Sequence, residues 1–292
     1  MAEPAEGSRR ALRGFVLLNL ATIGWGSTYC VIQLAEQTGL TAGGVTFLRF
    51  LAAALVMAPF VRFESRVMRA GIELGMWLGA GYLTQAAGLR YTSVGHAAFI
   101  STMFVILVPL GAVLRGHRIA ALVWAAAVVA AAGVTLLSFD GGAPNVGDAW
   151  CVLSAMIWAV YITRLEHFAP RFSARTLTAV QICAVVPWAA LVAVMDGALT
   201  ASVASFPWPH VLYLGIVGSA ATAWLQVLGQ AKVPAPTAAI IYTLEPVWAS
   251  LLAMIVFGDS FGWRGWAGSA MILGAALATT RAPLPPEPAP AA

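Results

Sequence analysis

The sequence predicts an all-α integral membrane protein of ten transmembrane helices, arranged as two inverted five-helix repeats. Three observations predict it. The chain is starved of charge, it divides into ten long apolar runs, and its two halves share an internal repeat.

The charge deficit comes first. Of 292 residues, 60% are hydrophobic and 10% are charged. Ordinary soluble domains are about a quarter charged, so a water-soluble fold would lack a polar surface here. A bilayer removes that requirement. The net charge of +4 does not point to nucleic acid, because the basic residues sit in short loops beside apolar runs, where they set topology. Cys30, Cys151 and Cys183 are odd in number, fall inside apolar stretches, and have neither a disulfide nor a metal-ligand spacing.

The elements follow in order. Residues 1–13 form a basic N-terminal segment with Arg9, Arg10 and Arg13. The segment resembles the start of a signal peptide, but the apolar run after it continues through Trp25 to Ile32 without a small-residue cleavage site. It reads as an uncleaved first span at 14–33. Further runs follow at 41–63, 71–89, 94–114, 120–138, 147–163, 177–195, 211–230, 236–257 and 263–279. A helix needs about 20 mostly apolar residues to cross a bilayer, and these runs approach or exceed that. Helix is the expected state, since an open strand would leave backbone groups unpaired in hydrocarbon. Pro109 and Pro187 are expected to bend their helices, and Gly75-x-x-x-Gly79 to permit close helix approach. Residues 282–292, rich in Pro and Ala, are expected to be a disordered tail.

Ten spans place both termini on one face. That face then carries thirteen Lys and Arg, the opposite face carries Arg90 and Arg264, and Arg49 falls inside a span. The positive-inside rule puts the crowded face, and both termini, in the cytoplasm of a cell that carries the protein in its inner or plasma membrane.

The repeat appears at an offset of 141 residues, which brings Gln85 onto Gln226 and Gly88 onto Gly229. The same offset brings Ala97, Ala98, Ile100 and Thr102 onto Ala238, Ala239, Ile241 and Thr243. Trp25-Gly-Ser-Thr-Tyr29 corresponds loosely to Trp158-Ala-Val-Tyr161. The halves are set at 14–139 and 147–281. Five spans is an odd number, so the second half enters the membrane inverted. Many secondary transporters are built this way, with substrate bound near the midplane between the repeats.

Trp25-Gly-Ser-Thr, Leu48-Arg49-Phe50, Leu244-Glu245-Pro246-Val247 and Phe257-Gly258-Asp259, followed by Gly268 and Gly274, occur in this order. Together they resemble the EamA-type family of the drug/metabolite transporter superfamily, over essentially all of 14–281. Many relatives have Gly-Glu where this chain has Gly258-Asp259, which keeps the carboxylate. The resemblance implies ten helices, cytoplasmic termini and export of small metabolites or amino acids.

Glu245 is the one carboxylate deep in a span, where a charge costs roughly 2.5–3.5 kcal/mol or more. It is open to two roles, a proton-coupling or substrate-contacting group or a tie between helices. Pro246 cannot donate to the Tyr242 carbonyl and should kink the helix there. Arg49 lies at a similar depth and is a possible ion-pair partner of Glu245, or it snorkels to the surface. Gln85 and Gln226 either line a cavity or bridge helices. Trp25, Tyr29, Tyr82, Trp158, Trp224 and Tyr242 are candidate substrate contacts, with helix packing as the alternative role. His96 is expected to be a solvated or capping residue.

The leading function is a secondary transporter of a small solute, without cofactor or metal, whose partners are that solute and the lipid bilayer. An enzyme would want clustered His, Asp, Glu or Ser, whereas His96, His117, His167 and His210 are scattered. A channel would want a filter-like polar loop.

Overall fold

The computed structural model describes residues 3–36, 41–139, 141, 143–198, 207–260 and 262–282. All regular structure among them is helical. In chain order the helices are α1 (Glu3–Glu36), α2 (Ala42–Met57), α3 (Ser65–Leu89), α4 (Val94–Ser101), α5 (Phe104–Leu114), α6 (Ala121–Ser138) and α7 (Val146–Phe168). Then come α8 (Ala174–Met195), α9 (Trp208–Gly215), α10 (Thr222–Gln230), α11 (Ala235–Tyr242), α12 (Glu245–Phe257) and α13 (Trp263–Thr279).

These helices make ten rods, one over each apolar run. Three rods are interrupted. α4 and α5 meet at Thr102–Met103, and α11 and α12 meet at Thr243–Leu244. α9 passes into α10 through a π-helical segment, Ile216–Ala221. Pro109 and Pro187 lie inside α5 and α8, which stay helical through both. The breaks therefore do not fall at those prolines. The expected N-terminal segment 1–13 is continuous with α1 from Glu3 onward. Apart from Ala282, the expected tail lies outside the described residues.

Eight of the rods are long and apolar enough to cross a membrane. The two outside that group are α3 and α13. α13 has 17 residues, and α3 dilutes its apolar character with Glu73, Gln85 and five glycines.

The starts of the helices follow from local chemistry. Thr41 caps α2 by accepting from the Gly44 amide, and Ser93 caps α4 by accepting from the His96 amide. Asn145 and Asp148 form a capping box at the start of α7. α12 stops at Gly258, whose φ of 73° is the left-handed conformation that glycine adopts freely.

Polarity is distributed inside out. Leu55, Leu114, Ile255 and Trp263 are among many large apolar residues exposed on the exterior, while Thr22, Arg49, Gln181, Gln226, Gln230 and Thr237 are buried. Lipid is the solvent that fits such a surface. Lipid tails are as apolar as leucine, so helices must associate by close packing, and small residues provide it. Along α3, a Cβ added at Gly71 or Gly75 would lie 2.5 Å from side-chain atoms of Val180 or Ala184, and Gly79 abuts Trp188. Three glycines at four-residue spacing thus face three residues of α8 at the same spacing. Gly133 and Gly268 bring α6 against α13: a Cβ on either would meet the other's carbonyl oxygen, at 2.8 and 2.6 Å.

The remaining packing is selective. α3 packs on α7 and α8, α2 on α8, α9 and the π segment, and α1 on α10 and α12. α7 packs on α4 and α5, and α5 on α11. The core lies where these helices converge.

Candidate functional site

The site is assembled by α1 and α12. Gly26 has no side chain, and a Cβ there would lie 2.8 Å from both Ala249 N and Trp248 Cβ. Three residues along α1 stands Tyr29, and three residues back along α12 stands Glu245. The Tyr29 hydroxyl donates to Glu245 Oε1 at 3.2 Å. Trp248 Nε1 donates to Asn19 Oδ1 at 3.0 Å and braces the same pair of helices.

Glu245 is the first residue of α12, directly after the break. Thr243 and Leu244 turn tightly, their amides bonding to the Ile240 and Ile241 carbonyls at 3.2 and 3.0 Å. Pro246 follows and leaves the Tyr242 carbonyl without its usual i+4 donor. The carboxylate therefore sits in the first turn of a helix, where the backbone dipole favours negative charge. Tyr29 is 43% exposed although it stands inside α1, two turns before the helix ends at Glu36. Its contact with Glu245 is thus reachable and not sealed by packing.

Arg49 is placed by α2 against the π segment. Nε donates to Ser219 Oγ at 2.9 Å and Nη2 to the Gly218 carbonyl at 3.3 Å. The guanidinium lies 5.1 Å from the Phe50 ring centroid and 5.7 Å from that of Tyr82, within cation–π range. Arg49 does not form the ion pair with Glu245 that equal depth allowed. Among the described residues the ion pairs are Arg90–Asp196, His96–Asp148 and Arg164–Glu73. Depth is legible in a sequence, whereas the lateral neighbour is set by helix rotation. Tyr29 and Tyr82 nonetheless both lie within electrostatic range of Arg49 and Glu245, so the two charges share one neighbourhood.

Aromatic rings surround it. Tyr82 meets Phe50 and Trp158 edge to face, with centroids 5.1 and 5.5 Å apart, and Trp158 meets Tyr161 at 5.8 Å. On the other side Trp25 meets Tyr242 at 5.6 Å. A narrow apolar crevice lined by Phe50, Tyr82, Val185 and Trp188 adjoins the Arg49 side.

Below the rings runs a buried amide network. The Tyr161 hydroxyl lies 3.0 Å from Gln226 Oε1 and 3.3 Å from Gln181 Oε1. One hydroxyl hydrogen cannot serve both, and Gln181 Nε2 has no partner. Turning the Gln181 amide by half a rotation lets Nε2 donate to the hydroxyl oxygen while the hydroxyl donates to Gln226. Gln230 accepts from the Tyr242 hydroxyl at 2.8 Å and donates to the Ile162 carbonyl.

A family model described as the EamA-like transporter family matches residues 12–139 and again residues 145–281. The chain belongs to the EamA-like transporter family. An "Uncharacterized transporter" of Archaeoglobus fulgidus is 26% identical over 281 residues, 92% of this chain and 86% of that one. The "Uncharacterized inner membrane transporter YicL" of Salmonella typhimurium is 23% identical over 93% of this chain and 95% of its own. A crystal structure superposes with a TM-score of 0.71 at 20% identity, covering 94% of this chain and 96% of the other, and so shares the fold. The chain is a multi-pass membrane transporter of this family, and the family implies a small-molecule substrate.

Within this EamA-like transporter the singled-out residues fall into groups. Tyr29, Glu245 and Tyr82 share one neighbourhood with Arg49. Trp25 and Tyr242 pair beside it, and Trp158 backs Tyr82. Gln226 belongs to the buried network, whereas its repeat counterpart Gln85 is half-buried and takes no part. Trp224 stands apart. Arg175 covers its ring at 5.7 Å, and its Nε1 is buried without a partner. Sequence reasoning missed Ser219, Gly218 and Gln230, because nothing in an apolar run marks a π segment or says which glutamine turns inward.

His96 departs from the expected solvated residue. It is 6% exposed, with Nδ1 3.2 Å from Asp148 Oδ1. Thr92 donates to the same oxygen at 3.0 Å. At this end of the bundle Asp196 pairs with Arg90 and accepts from the Gly43 amide at 2.9 Å. At the opposite end Arg164 joins α7 to Glu73 of α3.

Proposed function

We propose that this chain is a secondary active transporter that exports small metabolites such as amino acids. In this reading it crosses the membrane ten times as two inverted five-helix halves, 14–139 and 147–281, with both termini in the cytoplasm. Solute binds near the midplane, between the halves, and alternating access carries it across. Glu245 is the coupling residue, and Tyr29, Tyr82, Trp25, Trp158 and Tyr242 contact the solute.

Three observations support the two halves, and a fourth supports the orientation. The family model matches twice. Exchanging rods one to five with rods six to ten turns the α3–α7 contact into α10–α1, α3–α8 into α9–α2, α4–α7 into α11–α1, and α5–α7 into α12–α1, all of which occur. The breaks coincide as well, since the 141-residue offset takes Ser101 and Phe104, which flank the first, to Tyr242 and Glu245, which flank the second. The distribution of Lys and Arg supports cytoplasmic termini.

The observation that carries the transport reading is the Tyr29–Glu245 contact at the start of a broken helix. Discontinuous helices at the midplane are how many secondary transporters present charged and backbone groups to solute and coupling ion. The test is counterflow in proteoliposomes, with labelled amino acids and related metabolites against empty liposomes. Saturable exchange of one compound class supports the proposal. Flux that rises linearly with concentration would indicate a channel, and consumption of the compound would indicate an enzyme.

A further inference from the structure

Arg49 is a buried cation that the protein leaves incompletely partnered. It is 5% exposed, yet none of the ion pairs among the described residues includes it. A guanidinium carries five N–H groups, and Arg49 uses one on Nε and one on Nη2. The Tyr82 hydroxyl is close enough to take a further, weaker hydrogen bond, and no described carboxylate pairs with the guanidinium. No Arg49 atom is among the buried polar atoms that lack a partner, so the deficit is one of charge. Burying a cation is compensated fully only by a counter-anion and satisfied hydrogens. The Ser219 hydroxyl, the Gly218 carbonyl and two ring faces supply part of that compensation and no negative charge.

Glu245 shows the complementary deficit. Tyr29 donates to its Oε1, and no described cation lies within ion-pair distance. Two opposite charges thus share one neighbourhood through Tyr29 and Tyr82 without closing on each other. The molecule that satisfies both is itself bipolar.

We propose that Arg49 is the anion subsite of this transporter. It takes the carboxylate of a small organic zwitterion, whose amine faces Glu245 and Tyr29 and whose apolar body rests on the Tyr82 and Trp158 rings. This inference deepens the proposed function and rests on its placing of the solute. The planar fork of a guanidinium matches a carboxylate with two parallel hydrogen bonds, which a lysine ammonium does not reproduce. The site therefore selects against organic cations that lack an acid.

The test uses the purified full chain in detergent and four matched probes: L-phenylalanine, L-phenylalaninamide, 3-phenylpropanoate and phenethylamine. Binding is read by tryptophan fluorescence and by the shift in melting temperature. L-phenylalanine should bind tightest, and removing its carboxylate charge as the amide should weaken binding at least ~10-fold, the equivalent of about 1.4 kcal/mol. 3-Phenylpropanoate should bind more weakly than L-phenylalanine but more tightly than phenethylamine. In Arg49→Gln the acid and the amide should become equivalent, and Arg49→Lys should recover only part of the preference. Equal binding of acid and amide by the natural protein overturns the proposal, as does failure of every carboxylate probe to bind. If Arg49→Gln does not fold, the acid–amide comparison on the natural protein decides alone. Acid-selective binding without counterflow would keep the subsite and sink the transport reading. Counterflow of compounds lacking a carboxylate would do the reverse.

Discussion

The Tyr29 hydroxyl lies 3.2 Å from Glu245 Oε1, and that contact exists because Gly26, one turn away, lets α1 touch the backbone of α12. A hydrogen bond to an ionised group is worth about 1.5–3 kcal/mol. Tyr29→Phe should therefore weaken solute affinity or coupling by roughly 10-fold or more, with little effect on folding. A Tyr29→Phe protein with unchanged transport constants would separate Tyr29 from the site.

Gly26 itself gives a second prediction. A side chain there must push α1 away from Trp248 and Ala249 and so draw Tyr29 off Glu245. Gly26→Val should cost about 1–3 kcal/mol of stability, typical of overpacking, and should impair transport more than Tyr29→Phe does. Thermal unfolding in detergent alongside counterflow measures both. A fully active Gly26→Val would show that the α1–α12 spacing is not critical.

The Gly133–Gly268 contact tests packing without touching the site. Each glycine faces the other's carbonyl, so Gly268→Leu should force α6 and α13 apart and lower the melting temperature. Molecules that remain folded should keep their solute affinity, because neither helix contributes a group to the Arg49–Glu245 neighbourhood. A loss of affinity at unchanged stability would contradict that separation.

The two ion pairs at one end of the bundle should differ in weight. Arg90 and Asp196 have side chains 44% and 20% exposed, so a double-mutant cycle should give no more than about 1 kcal/mol. Asp148 accepts from the Asn145 amide within the capping box and faces buried His96. Asp148→Ala should cost about 1–2 kcal/mol, the upper range for losing a cap. Similar values for the two sites would mean that burial does not set their strength.

The sequence carried the fold well, for a physical reason. Hydrocarbon demands long uninterrupted apolar runs, and each of the ten runs is occupied by one helical rod. Spacing was equally informative at Gly75 and Gly79, because the close approach they allow follows from the absence of a side chain alone. What stayed hidden was rotational or non-local. Arg49 could be placed in depth but not turned toward Ser219. The break at Thr102–Met103 has no proline, while Pro109 sits inside a helix that continues through it. His96 looks like a surface residue until Asp148, brought in by another helix, covers it. The π segment has no signature residue, and its Ser219 and Gly218 become meaningful only once Arg49 lies against them.

The most direct test of the account is solute flux in proteoliposomes driven by an imposed pH gradient, comparing the natural protein with Glu245→Gln. The account predicts that Glu245→Gln loses gradient-driven flux and retains solute exchange at zero gradient only with weakened affinity, because the neutral amide can still accept from Tyr29 but can neither carry a proton nor supply the charge that faces the solute's amine. Full gradient-driven flux in Glu245→Gln would contradict it and leave Glu245 as a tie between α12 and α1.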